Sequence, residues 1–192
     1  FNNLTQEFDI IITLSDHGEL LGEYDVWAHW YGIYPELVHV PLVVWKRDED
    51  STVREDPVGL IDVYETILEV ANIEVDVRYQ SKSLFRPPTK QTYLVESHGL
   101  RPEDRERMAE CGMSHTEIDR YDKPLRGFVS PPDYYGYETE SGFNTKGISC
   151  FEDPQAQMEQ RFSELDTRES RSKDGEDISE DMRQRLKDMG YM

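Results

Sequence analysis

Basic charge is what this chain has least of. Its 21 Lys and Arg face 40 Asp and Glu, a net charge of -19 over 192 residues. A surface so poor in cations cannot neutralise a line of phosphates, which excludes a nucleic-acid partner held through its backbone. Cysteine is scarce too. Cys111 and Cys150 lie far apart in the sequence, with neither the density of a disulfide framework nor zinc-ligand spacing, and read as free thiols in a reducing compartment. Long apolar runs are missing, since none approaches the roughly 18 residues of a membrane helix, and no membrane span is expected. The chain opens on Phe1 without a signal-peptide pattern. The expectation is a piece of a longer protein in a cytoplasmic setting, long enough to be one domain or a large part of one.

The acidic residues are spread along the chain instead of gathered in a tail, and arginine outnumbers lysine. That balance fits a protein kept soluble in high salt, where screening weakens self-repulsion. A halophilic origin is therefore expected over an ordinary acidic cytosolic protein.

The runs 9–14 and 38–45 are unbroken and apolar, as in strands of a parallel sheet covered on both faces. Pro41 marks the start of the second strand or a bulge in it. Residues 46–56 read as a connecting loop. Pro57 to Ala71 reads as a helix with Leu60, Tyr64, Ile67, Leu68 and Ala71 on one stripe, ended by a left-handed Asn72. Further on, 91–96 reads as a strand and 102–111 as a charged helix. Arg126 to Glu138 reads as a hairpin broken at Ser130-Pro131-Pro132-Asp133. Residues 151–178 have few large apolar groups and read as an acidic loop, in part disordered. The last residues, 179–192, read as a helix capped by Ser179 or Asp177, carrying Met182, Leu186 and Met189, and closed by Gly190.

The chemistry gathers in Ile12-Thr13-Leu14-Ser15-Asp16-His17-Gly18-Glu19. An apolar strand ends in a polar turn, the place where open α/β sheets collect ligands. Asp16 offers an anionic oxygen and His17 an imidazole nitrogen, both ligands for a divalent metal, and Gly18 lets the backbone turn at once. The same three residues also suit a plain turn, with Asp16 capping the next helix and His17 hydrogen-bonding. His29 has two readings as well. It is either a donor to an anionic substrate or a histidine packed among Trp27, Trp30 and Tyr31.

Four segments resemble the sulfatase family of the alkaline phosphatase superfamily. Ser15 to Glu23 resembles its second metal-binding segment. Ile33 to Val44 is similar to its Tyr-Glu-Glu, Arg-Val-Pro-Leu segment. Gly59 to Leu68 is similar to its Leu-Val-Asp-Leu-x-Pro-Thr-Leu-Leu helix, and Met182 to Met192 to its Leu-Gly-Tyr ending. The resemblance implies an α/β fold. Residues 1–78 would be the C-terminal part of an alkaline-phosphatase-like mixed sheet with flanking helices, and 79–150 a smaller antiparallel subdomain. The loop 151–178 and a C-terminal helix would follow. It implies a metal-dependent sulfuric ester hydrolase in which Asp16 and His17 match the later pair of metal ligands. The metal would be calcium first, with manganese, magnesium or zinc as alternatives. His29 falls close to where the family often places a Lys or His against the sulfate. His39 stands at the family's Arg and reads as structural; His98 and His115 read as exposed.

Histidine in the second ligand place also occurs among phosphodiesterases and phosphonate hydrolases of the superfamily, so the substrate class stays a small sulfate or phosphate ester. The family's nucleophile motif, Cys or Ser, x, Pro, x, Arg, is absent. Cys111 precedes Gly-Met-Ser-His, Cys150 precedes Phe-Glu-Asp-Pro, and Ser130-Pro131-Pro132-Asp133-Tyr134 ends in Tyr. The first pair of metal-binding Asp residues is absent too. The chain alone is thus expected to be inactive and to require a missing N-terminal half, unless it is a non-catalytic relative that serves as a binding partner.

Overall fold

β-branched residues crowd the two apolar runs, and both become strands. In a computed structural model that describes residues 1, 3–74, 81–87, 91–165 and 180–188, these are β1 (Ile10–Leu14) and β4 (Leu42–Lys46). They pair antiparallel, with Ile12 opposite Val44 and Leu14 opposite Leu42. The parallel arrangement suggested by the unbroken runs is corrected here. A run of Ile and Val records which faces meet apolar neighbours, not the direction of the adjacent strand. Pro41 lies just outside the ladder, at the start of β4, where its missing N–H costs no hydrogen bond.

Between these strands the chain forms a short hairpin. β2 (Leu20–Leu21) and β3 (Trp27–Ala28) pair antiparallel, linked by a 3-10 turn over Glu23–Asp25. The helix α1 (Leu4–Glu7) precedes β1, and α2 (Pro35–Val38) precedes β4. Pro35 suits the first turn of α2, since its absent N–H would have no partner there.

α3 (Ile61–Val70) is shorter than expected and starts four residues after Pro57. Its buried side chains are Asp62 and Thr66, whereas Leu60, Tyr64 and Ile67 of the predicted stripe are 38%, 48% and 53% exposed. Asp62 accepts hydrogen bonds from the Gly59 and Lys82 N–H groups and the Tyr93 hydroxyl. Thr66 receives the Leu84 N–H and donates to the Asp62 carbonyl. The two fully buried side chains of α3 are therefore polar and hydrogen-bonded, Asp62 and Thr66. Asn72 takes φ 52°, the left-handed end expected of it.

The second half is one antiparallel sheet in the order β5 (Tyr93–His98), β6 (Pro124–Ser130), β7 (Tyr134–Thr139), β8 (Gly142–Lys146). The predicted hairpin is β6–β7. Two helices fill the β5–β6 connection, α4 (Pro102–Glu110) and α5 (His115–Tyr121). Ser114 and Glu117 form a complete capping box at the start of α5.

Alternation along these strands supplies two cores. One face presents Leu125, Tyr135 and Tyr137 to Met108, Ile118, Leu20, Tyr31, Ile33, Tyr34 and Leu37. The other presents Phe128 and Tyr134 to Met158 and Phe162. Those last two belong to α6 (Pro154–Ser163), a helix inside the stretch expected as an acidic loop. Two apolar side chains four residues apart are enough to anchor one helical face, which low average hydropathy concealed. Gly136 makes room for this core: a Cβ there would lie 2.7 Å from Phe143 and 2.9 Å from Phe128.

The chain divides into two units, 1–162 and 163–192. The second holds α7 (Glu180–Asp188). The proposed cap at Ser179 or Asp177, with Met189 and Gly190, lies outside the described residues, as does the predicted boundary at residue 78. Among the described residues no helix is long and apolar enough to cross a membrane. Both cysteines are free and exposed.

Candidate metal centre

The turn after β1 is held by its own polar groups. The Ser15 hydroxyl donates to the His17 carbonyl at 2.6 Å, and the His17 N–H donates to Asp16 Oδ1 at 3.1 Å. The Gly18 N–H donates to the Leu37 carbonyl at 2.9 Å, which ties the turn to α2. Gly18 is required by close approach, because a Cβ there would sit 1.8 Å from the Glu36 carbonyl oxygen.

His17 Nδ1 lies 2.8 Å from the Gly18 carbonyl oxygen. A carbonyl only accepts, so Nδ1 carries a proton, and in the neutral ring the lone pair is on Nε2. This is how metal-binding histidines are commonly oriented. Asp16 Oδ2 lies 3.8 Å from that Nε2, and both side chains are about half exposed. The donor set of a carboxylate and a lone-pair imidazole thus fits a divalent ion.

The hairpin brings His29 to the same place. Leu20 pairs with Ala28 and Leu21 with Trp27, so one step outward along the ladder Glu19 falls opposite His29. Glu19 Oε2 and His29 Nδ1 are 2.9 Å apart. The His29 ring stacks on the His17 ring, with centroids 4.3 Å apart and planes 27° apart. His17, Glu19 and His29 each offer a ligand atom, all within 4.8 Å of one another. His29 is therefore beside His17 and exposed, not packed in the core. Sequence reasoning missed Glu19. The signal was a short antiparallel hairpin whose flanking residues must face each other.

The antiparallel sheet buttresses this hairpin from behind. The Tyr135 hydroxyl donates to the Ile33 carbonyl at 2.6 Å. The Tyr34 and Tyr31 hydroxyls both donate to Glu140 Oε2, at 3.0 and 3.4 Å. Burial first, then the Glu140 carboxylate, pushes both phenols up, so they remain protonated donors. Tyr24 stacks on Tyr34 at 4.3 Å and donates to Glu36. On the hairpin, the Leu21 N–H donates to Glu23 and holds that carboxyl below its usual range. His39, His98 and His115 are all exposed, and none of them belongs to the donor cluster.

Comparison with known proteins agrees with the motif reading. Residues 6–73 match the Sulfatase family. A protein named Sulfatase from Formosa agariphila is 29% identical over 96 residues, which cover 47% of this chain and 19% of that relative. The match thus spans less than a fifth of the relative's length. No solved structure matches.

Proposed function

We propose that this chain is the C-terminal, metal-holding part of a sulfatase-like sulfuric ester hydrolase, inactive until further polypeptide supplies the nucleophile and the remaining ligands. The observation that carries this reading is the turn after β1. It lies within the stretch that matches the Sulfatase family, and it sets Asp16 Oδ2 3.8 Å from Nε2 of a His17 whose Nδ1 is engaged by the Gly18 carbonyl.

Asp16 and His17 would hold one side of a divalent ion, calcium by resemblance. When bound, the ion polarises the oxygens of the ester group. Two protein donors leave most of a hard cation's roughly six coordination places to other groups, so the site is weak in this chain alone. His29, beside the pair, would donate a hydrogen bond to the anionic ester or a proton to its leaving oxygen. Glu19 would hold that ring in place. Histidine at position 17 favours a second reading, a phosphate or phosphonate ester as substrate. A non-catalytic role would keep the fold and lose only the nucleophile.

Calorimetry with calcium on the 192-residue chain tests the assignment. Weak binding is expected, and Asp16→Ala and His17→Ala should each abolish it. Binding unchanged in both variants would overturn the ligand assignment. The chain alone should not turn over an aryl sulfate or an aryl phosphate; robust turnover of either would sink the expectation of inactivity. An upstream reading frame encoding Asp-Asp and Cys-x-Pro-x-Arg would exclude the non-catalytic role.

A further inference from the structure

The geometry points to a transition-metal site made of His17, Glu19 and His29, which takes an ion of the zinc, cobalt or manganese class. It shares only His17 with the calcium pair and does not depend on sulfatase chemistry. Two imidazoles and one carboxylate are a donor set for such ions, whereas calcium prefers oxygen alone.

The spacing suits that use. Zinc bonds to nitrogen and oxygen are about 2.0–2.2 Å long, so neighbouring ligand atoms around one ion lie roughly 3–3.5 Å apart. Glu19 Oε2 and His29 Nδ1 are already 2.9 Å apart. The full set lies within 4.8 Å, and all three side chains are exposed, so rotation about side-chain bonds closes the remaining gap without moving the backbone. Coordination through His29 Nδ1 requires the ring proton to sit on Nε2, so that the ion takes the place of the N–H between Nδ1 and Glu19.

The backbone around the cluster is fixed before any ion arrives. Gly18 is clamped against α2, the His17 tautomer is set by the Gly18 carbonyl, and the hairpin register opposes Glu19 to His29. Ala28, which precedes His29, takes φ 70°. That left-handed turn at a non-glycine residue redirects the chain at the point where His29 leaves the strand.

The test is titration of the 192-residue chain with Co2+, followed by visible absorption, then displacement by Zn2+. One Co2+ per chain is expected, with ligand-field bands that zinc abolishes. Glu19→Gln and His29→Gln should each weaken binding by at least the roughly 10- to 100-fold typical for loss of a supporting group. Both side chains are exposed, so far-UV circular dichroism of the variants should match that of the parent chain. Asp16→Ala should weaken Co2+ binding less than Glu19→Gln does. If Asp16→Ala removes Co2+ binding and Glu19→Gln leaves it intact, the ion sits at the calcium pair. That outcome overturns this site and leaves the preceding proposal standing. Absence of any Co2+ binding overturns it as well. Loss of calcium binding without loss of Co2+ binding in Asp16→Ala would support both sites as separate.

Discussion

Gly18 lies where the backbone of the turn after β1 meets that of α2, and no larger residue fits the gap. Alanine there would place a carbon 1.8 Å from the Glu36 carbonyl oxygen. Relief requires the turn to swing away from α2, with loss of the Gly18-to-Leu37 hydrogen bond. Gly18→Ala is expected to destabilise the chain by about 1–3 kcal/mol, the usual cost of overpacking, and to weaken metal binding at the same time. Urea denaturation read beside calorimetry checks both effects. A variant of full stability and full affinity would show that the clamp is dispensable. The orientation of His17 depends on the same turn, because the carbonyl that fixes its tautomer belongs to Gly18 itself.

At the scale of the element, α5 shows how local chemistry sets a boundary. Ser114 Oγ accepts from the Glu117 N–H, and the Ser114 N–H donates to the Glu117 carboxylate at 2.8 Å. Two otherwise unpaired donors at the helix start are thereby satisfied. The donors of Ser114 favour the ionised carboxylate, hydroxyl first, and hold Glu117 below its ordinary value of 4.5. A depressed folded value gives stability that is present in full above that ordinary value and is lost as pH falls through the folded one. Titration of Glu117 followed by NMR should therefore have its midpoint below 4.5, and Ser114→Ala should move it upward. Ser114→Ala should also cost about 1 kcal/mol, as removal of an N-cap commonly does. A midpoint that does not move would show that the box forms no functioning cap in solution.

The whole molecule leaves apolar surface open. Val43 on β4 is 58% exposed, Ile67 on α3 is 53% exposed, and Leu21 and Trp27 on the hairpin are 67% and 68% exposed. The β1–β4 sheet has two strands, fewer than such a sheet requires for independent stability, and strand edges of this kind invite pairing. The isolated chain is accordingly expected to self-associate as its concentration rises. Val43→Lys and Ile67→Lys together should reduce that association, read by sedimentation velocity. A parent chain that stays monomeric at every concentration would contradict this view of its surface. By contrast the centre of the β5–β8 sheet is covered on both faces, with Phe128 and Met158 fully buried on one side and Ile118 and Leu125 nearly so on the other.

Much of this was written in local sequence. The runs Ile10 to Leu14 and Leu42 to Lys46 are strands because their apolar and β-branched side chains pack well on a pleated surface. Asn72 ends a helix, and Asp16-His17-Gly18 forms a turn, for reasons carried within a few residues. The motif around that turn was also enough to show a resemblance to the Sulfatase family, which residues 6–73 match. Local pattern did not decide the direction of β1 against β4, since either direction satisfies the same apolar run. Nor did it decide which side of α3 is buried, because Asp62 and Thr66 go inward only when Tyr93 and the backbone of Lys82 and Leu84 arrive from elsewhere in the chain. α6 was hidden for a related reason: Met158 and Phe162 have value as a helical face only once Phe128 and Tyr134 lie across from them. The meeting of His17, Glu19 and His29 belongs with these. Residues ten and twelve apart in sequence share a site because an antiparallel ladder fixes their register, and hydrogen bonds between strands, not neighbours along the chain, set that distance.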